Sequence, residues 1–362
     1  MDTPPKKSSE CKVLLLQDTL MPYRIPIYKM IGEQCDLTVG FIRKKNIIAL
    51  NPLKTKQLDC IKIGRFFWIK SFYQLCNKFD IIIVLPHFQV LSYILINFVP
   101  RKFKIITWSM GVRASYKKPY SLTPEKNILF RIYFWIQKKA DACIFYTKQP
   151  IPMWKSLGLD EKKCFVAHNT VKIADYDSSS KEKDSLLFVG TLYKQKKIDE
   201  LIDAYLEAKD DQEFFPILRI VGSGDDLERV QNKYKSNSIE FLGAIFDETE
   251  LAVLFSKAYA CISPGQAGLS VLKSMGYGVP FITRYNAITG GEIFNIKNNE
   301  NGFLYNTKEE LISLLKDINN HPDKYIRAGV AAKEYYKTNA SPQKMVSGVI
   351  DAINYSILSK DK

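Results

Sequence analysis

The chain is poor in the residues from which metal sites and disulfide frameworks are built. Three histidines occur in 362 residues, and the seven cysteines (Cys11, Cys35, Cys60, Cys76, Cys143, Cys164 and Cys261) stand singly, with no Cys-x-x-Cys pair. That scarcity argues against a structural zinc site. An odd, dispersed set of thiols reads as reduced cysteine in a cytoplasm. The opening decapeptide MDTPPKKSSE is polar and lacks the apolar core of a signal peptide. Low-complexity tracts and short repeats are absent. Long charge-free runs are missing too, with one exception: residues 81–100 carry no Asp, Glu, Lys or Arg and match the length of a membrane span. Pro86, His87, Gln89, Ser92 and Asn97 interrupt that run. The pattern predicts a buried strand, IIIVLP, followed by a helix from Gln89 to Phe98.

What is present is ordinary globular composition with uneven charge. Hydrophobic residues make up 46% and charged residues 25%, which excludes disordered and fibrous classes. The length suits two domains of about 150 residues each. Net charge is +14, yet residues 1–170 hold 28 Lys+Arg against 11 Asp+Glu, while residues 171–362 hold 24 against 27. The whole basic excess therefore lies in the first half, which points that half toward an anionic partner. Aromatic residues sit among the cations in RFFWIKSFYQLCNKF from Arg65 and FRIYFWIQKK from Phe130. Such a mixture suits an anionic bilayer surface. It would also suit RNA, although nucleic acid rests on charge alone. A solvated basic face without a partner is the third reading.

Short apolar runs alternate with helix-length segments along nearly the whole chain. The runs begin at Val13, Leu37, Ile81, Lys104, Ala142 and Cys164, then at Ser185, Ile217, Ile239, Ala260 and Pro280. Continuous apolar runs spaced by helices indicate parallel sheets covered on both faces. The expected class is α/β, twice over, as two Rossmann-like domains. A polar, charged stretch, DYDSSSKEKD, marks a boundary, so the domains are expected at 1–175 and 176–340. A closing helix, 341–362, opens on Ser341 and Pro342 and is expected to pack back on the first domain.

In the second half, loops at the ends of strands carry the chemistry, because open α/β sheets bind ligands there. LLFVGTLYKQKKIDELIDAY, from Leu186, is a strand, a glycine turn, a basic loop and an amphipathic helix. Backbone N–H groups of such a turn can approach a phosphate, with Lys194, Lys196 and Lys197 supplying charge. LRIVGSGDDLERVQ places Gly222 and Gly224 between a strand and a helix. IEFLGAIFDETELAVLFSKA ends a strand at Gly243, with Asp247 as the expected helix cap. ACISPGQAGLSVLKSMGYGVPFIT then starts a helix near Gly268, Leu269 and Ser270, whose free N–H groups favour a diphosphate.

The order of these units resembles glycosyltransferase family 4, the glycosyl transferases group 1 of the GT-B fold, strongly over about residues 186–305. FVGTLYKQKKID is similar to the family's phosphate loop, FVGRL...KG.D. By position its Lys corresponds to Lys196, while its Arg is replaced by Thr191. IEFLG with Ala244 is similar to the segment whose backbone contacts the base, and GLSVLKSMGYGVP to the family's GL...EAMA.G.P helix. The two glutamates that the family usually carries fall on Gly265 and Lys273, eight positions apart, and neither is acidic. Glu292, in ITGGE, is a nearby carboxylate that could take over the ribose hydroxyls. The resemblance thus implies a donor site of Gly190, Thr191, Lys196, Gly222, Gly243, Ala244, Gly265, Gln266, Gly268, Leu269, Ser270 and Glu292. Some bacterial surface-polysaccharide transferases look like this variant.

In the first half the resemblance is faint. LLLQDTLMPYRIPIYKM is similar to the family's first strand and loop, with Pro22, Tyr23 and Arg24 in place of a Gly-rich turn. Arg24 could pair with an acceptor phosphate. His87, past the IIIVLP strand, is a candidate polar cleft residue, and Trp108, Gly111 and Arg113 lie in a loop that in relatives approaches the transferred sugar. Each of these also has an ordinary structural reading. VAHNTV matches the family's interdomain segment, placing His168 and Asn169 in the hinge.

The resemblance implies α/β architecture with two Rossmann-like domains facing each other across a cleft, and retaining transfer from a nucleotide-diphosphate sugar to a glycan or lipid-linked oligosaccharide, with no cofactor and no essential divalent metal. Lys196, Trp108, His87 and Arg24 are the candidate catalytic residues. Lys196 and the helix start near Gly268 would stabilise the charge that builds on the departing diphosphate. The expected place is the cytoplasm, peripheral on the inner face of the membrane, in surface polysaccharide synthesis. A non-catalytic binder of nucleotide sugars and a GT-B epimerase are the competing readings.

Overall fold

A computed structural model describes residues 7–43, 50–114, 119–175, 182–210, 212 and 214–359. The chain forms two compact units: Met1–Arg113, Ser121–His168 and Pro342–Lys362 make the first, Ala114–Tyr120 and Asn169–Ser341 the second.

The first unit begins with β1 (Lys12–Thr19), α1 (Ile25–Gly32), β2 (Asp36–Arg43) and β3 (Lys54–Gln57). A hairpin follows, β4 (Cys60–Ile63) with β5 (Phe66–Ile69), then α2 (Phe72–Cys76), β6 (Ile81–Val84) and α3 (Leu91–Leu95). The series ends with β7 (Lys104–Ser109), α4 (Ile128–Lys139), β8 (Ala142–Phe145), α5 (Pro150–Ser156) and β9 (Cys164–Val166). The strands form a parallel sheet in the order β3-β2-β1-β6-β7-β8-β9. The charge-free run at residues 81–100 is the central strand β6, buried to at least 99%, followed by α3 and the 3-10 turn Ile96–Phe98. Among the described residues no helix is long and apolar enough to cross a membrane.

The second unit holds β10 (Ser185–Val189), α6 (Ile198–Lys209), β11 (Ile217–Val221), α7 (Leu227–Lys233), β12 (Ile239–Gly243), α8 (Glu248–Ser256) and β13 (Ala258–Ile262). It continues with β14 (Gln266–Ala267), α9 (Leu269–Gly276), β15 (Phe281–Arg284), β16 (Ile288–Thr289), β17 (Gly302–Tyr305), α10 (Lys308–Asn320) and α11 (Pro322–Tyr335). Its parallel sheet runs β12-β11-β10-β13-β15-β17, and β14 pairs with β16 separately. All the apolar runs read from the sequence are strands of the two sheets, because a strand covered on both faces must be apolar along its whole length.

The division between the units falls at His168, seven residues before the expected 175. Backbone bonds explain the difference: the Tyr336 hydroxyl donates to the Val171 carbonyl at 2.6 Å, and Ala174 N–H donates to the Tyr277 hydroxyl at 3.3 Å. Both bonds tie residues after 168 to the second unit, whereas most of DYDSSSKEKD (176–181) lies outside the described residues. The closing helix α12 (Pro342–Leu358) belongs to the first unit. Its Met345, Val346, Val349 and Ile353 join one apolar cluster with Val13, Ile27, Ile81 and Ala167.

Candidate active site

The strand order of the second sheet reverses between β10 and β13, so the loops leaving those two strands diverge and open a crevice. A main-chain network fixes the loops around it. Gly190 N–H donates to the Val221 carbonyl (3.0 Å), Leu192 N–H to Ser223 (2.9 Å), and Gly222 N–H to Gly243 (2.7 Å). Gly265 N–H donates to the Lys196 carbonyl (3.1 Å), and Ile288 N–H to the Gly265 carbonyl (2.9 Å). Gly222 has φ +149°, and a Cβ there would lie 1.9 Å from the Gly190 carbonyl oxygen. At Gly265 a Cβ would lie 1.9 Å from the Gln195 carbonyl oxygen. Only glycine lets the phosphate loop lie this close. The absence of an acid at 265 is thereby explained: the backbone of residues 195–196 occupies the space a side chain would need.

The crevice holds a cavity of about 330 Å³ lined by Val171, Val189, Gly190, Thr191, Tyr193, Lys196, Gln266, Gly268, Leu269, Ser270 and Lys273. It brings together six of the residues read from the sequence as donor-binding, apart from Lys196 itself: Gly190, Thr191, Gln266, Gly268, Leu269 and Ser270. Gly222, Gly243 and Gly265 stand outside the lining and join the main-chain bonds above, while Ala244 follows Gly243 at the end of β12 and is outside the lining too. Of the three lysines in the basic loop, Lys194 and Lys197 are exposed and Lys196 is 6% exposed. Lys197 adopts the left-handed conformation (φ +54°), which turns the chain into α6 and sends the preceding side chain inward. The family pattern has glycine at this position, where a positive φ carries no penalty.

Lys196 has no carboxylate partner among the described residues. Its burial pushes the ammonium down to about 8 from 10.5, opposed only by the Cys261 thiol beside it. A buried cation without an anion is costly unless a ligand supplies the counter-charge. The first N–H groups of α9, at Leu269 and Ser270, have no acceptor within the helix and point the same positive end at the cavity. The Ser270 Oγ is buried with no hydrogen-bond partner among the described residues. Tyr193, which the sequence did not single out, lines the cavity and donates its hydroxyl to Gln266 Oε1.

Lys273, at the second expected glutamate, reaches Glu248 on α8 (Nζ–Oε1 2.6 Å), and the Tyr277 hydroxyl donates to Glu248 Oε2 at 3.0 Å. Glu248 is therefore the carboxylate next to the cavity wall. Glu292 is 5% exposed and stands outside the lining. Its Oε1 accepts from Asn169 Nδ2 at 2.6 Å, and its Oε2 from Gly290 N–H at 2.8 Å and Thr289 Oγ1 at 3.3 Å. Sequence position near the helix had suggested ribose binding for this carboxylate; the fold gives its oxygens protein partners.

In the first unit the candidates lie at the carboxyl ends of β1, β6, β7 and β9. Arg24 is buried (6% exposed), with its guanidinium 5.3–5.5 Å from the rings of Tyr23, Trp108 and Tyr146 and a bond to the Tyr146 hydroxyl (3.1 Å). Trp108 is 2% exposed, and its Nε1 has no partner among the described residues. Gly111 accepts from Trp154 Nε1 at 2.8 Å, and Arg113 pairs with Glu125 at 3.2 Å. His168 Nδ1 is likewise buried without a partner, and burial followed by nearby Lys148 lowers its pKa. His87 is exposed on the loop after β6.

Comparison with known proteins bears on the fold and the class of protein. Residues 183–320 match the family described as Glycosyl transferases group 1. An uncharacterized glycosyltransferase of Methanocaldococcus jannaschii is 27% identical over 306 residues, 77% of this chain and 76% of that one. Among solved structures, Anabaena Alr3699/HepE in complex with UDP-glucose superposes with a TM-score of 0.67 at 15% identity, covering 95% of this chain and 100% of that one. The apo lipopolysaccharide outer core galactosyltransferase WaaB gives 0.66 at 17%, covering 94% and 99%. The chain is a glycosyltransferase of the GT-B fold.

Proposed function

We propose that this enzyme takes its sugar from a nucleoside diphosphate sugar bound in the second-unit cavity, with the diphosphate between Lys196 and the start of α9. The observation that carries the reading is the buried Lys196 ammonium, facing the cavity with no carboxylate partner among the described residues. A diphosphate supplies that charge, and it gains more as the sugar leaves and negative charge collects on it, which is where binding lowers the barrier. The Lys273–Glu248 pair serves the nucleoside end, the carboxylate accepting from ribose hydroxyls beside an ammonium held to one rotamer by its partner. Glu292 positions the 288–292 loop against Asn169. Anabaena HepE has been seen with UDP and glucose, which makes UDP-glucose the first donor to test.

The acceptor in this reading is a glycan or lipid-linked oligosaccharide of a surface polysaccharide, approached from the edge that carries Arg24, Trp108 and His87. Transfer retains configuration and uses no divalent metal, the roles a metal would play falling to Lys196 and α9. The enzyme works at an anionic membrane face, drawn there by the basic first half. A thermal-shift series with UDP, GDP, ADP, CMP and dTDP tests donor binding, because a ligand raises stability by mass action. One nucleoside diphosphate should raise the midpoint, and its sugar conjugates should then be consumed. A flat response to all of them would remove the cavity from consideration.

A further inference from the structure

The β4–β5 hairpin is apolar on both faces. Its register pairs Ile61 with Trp68 and Ile63 with Phe66 on one face, Cys60 with Ile69 and Lys62 with Phe67 on the other. The second face is accounted for, since Cys60, Phe67 and Ile69 pack into the core beneath β1 and β6. The first face is not: Ile61 is 45% exposed, Ile63 57% and Trp68 39%. A two-stranded ribbon gains nothing from apolar side chains turned to water, so this face calls for a partner. Its surroundings state what kind. Residues 54–70 hold five Lys or Arg and one acid, with Arg65 at the tip and Lys62 and Lys70 exposed on either side.

We infer that this hairpin face is the membrane anchor of the enzyme, its apolar residues entering the headgroup boundary of an anionic bilayer while Arg65 at the tip and Lys70 beside the ribbon meet lipid phosphates. Each feature has its physical role. Trp and Ile gain by leaving water, Trp being suited to the interface because its ring is apolar and its N–H wet. The cations add long-range attraction to an anionic leaflet. The position is useful as well as sticky. Phe67 N–H donates to the Gln89 carbonyl at 2.7 Å, fastening the ribbon to the loop after β6 that carries His87. A hairpin seated in the bilayer therefore holds the carboxyl edge of the first sheet at headgroup level, where the sugar of a lipid-linked acceptor stands. This inference rests on the membrane reading above and makes it specific.

The test is co-sedimentation of the full chain with vesicles of phosphatidylcholine alone or mixed with phosphatidylglycerol, at low and at high salt. The native chain should bind the anionic vesicles, more weakly at high salt, and the neutral ones poorly. The triple substitution Ile61→Ser, Ile63→Ser and Trp68→Ser should weaken binding by about tenfold or more, while Phe214→Ser, an exposed aromatic of the second unit, should leave it unchanged. Arg65→Glu, which alters only the tip, should weaken binding without touching the ribbon. An unchanged nucleotide-induced thermal shift certifies that each variant is folded. Full binding by the folded triple variant would overturn the hairpin assignment and leave the membrane reading standing. No binding by the native chain would overturn both, and leave donor binding to stand on its own test. A native dimer that the triple variant abolishes, without lipid binding, would assign the face to a second copy instead.

Discussion

In the proposed function, Lys196 is the residue at which stability and function oppose each other. Burial holds its ammonium at about 8, below the ordinary 10.5. Between those two values the unfolded chain keeps a proton that the folded chain has lost, so the unliganded protein gains stability as pH rises through that window. Below about pH 8 the burial cost is fully present. Lys196→Met should therefore stabilise the unliganded chain at neutral pH, by up to about 3 kcal/mol. The same substitution should abolish the nucleotide-induced thermal shift and lower turnover by at least about tenfold. Denaturation with and without nucleotide measures both, and near-normal turnover would mean that the phosphate loop is misassigned. Nucleotide affinity should also fall as pH rises above about 8, because the charged form of Lys196 is the one that binds; Lys196→Arg, which keeps its charge, should flatten that profile. Lys197 is a smaller case. As a side chain in the left-handed region it carries a strain of about 1 kcal/mol that glycine would lack, so Lys197→Gly should keep activity whereas Lys197→Val should lower the melting temperature.

Elements explain why the acids of the family pattern are missing. Putting Glu at 265 does not restore a site, because the loop before α6 already fills that space at 1.9 Å from the ideal Cβ. Gly265→Glu should displace the 195–196 backbone and lose nucleotide binding together with stability. Lys273→Glu alone should place two carboxylates at the 2.6 Å contact now made by an ion pair, and so weaken nucleotide binding. The exchange Lys273→Glu with Glu248→Lys should recover much of the loss, which a titration of the four variants would show. The carboxylate beside the cavity stands at the start of α8 rather than on α9, and a linear alignment has no means of pointing to it there. Asp247 by contrast was legible: it caps α8 by accepting from Thr249 and Glu250 N–H at 2.8 and 2.9 Å, a bond between near neighbours in sequence.

For the whole molecule, the closing helix is the feature to test. α12 returns to the first unit and gives it Met345, Val346, Val349 and Ile353. A chain ending at Ser341 should leave that face open, melt at lower temperature and aggregate, by the usual cost of uncovering large apolar side chains. Calorimetry and light scattering of the truncated chain would show this, and an unchanged transition would mean that the first unit folds without its last helix.

Sequence alone determined the class of fold and the place of the candidate donor site. Buried parallel strands are apolar throughout and the loops after them carry glycine and lysine in order, so both leave a mark within a short window. Tertiary structure decided the rest. It buried Lys196, which the resemblance had already singled out, and left Lys194 and Lys197 exposed, since the left-handed turn at 197 sets which side chain points inward. It gave Glu292 to Asn169 and Glu248 to Lys273, pairings across 123 and 25 residues. It moved the boundary to His168, because hydrogen bonds rather than polar composition tie residues 169–174 to the second unit. It also turned one apolar face of the hairpin outward. A run such as RFFWI reads the same whether its side chains meet core or water, and only the packing of the other face tells them apart.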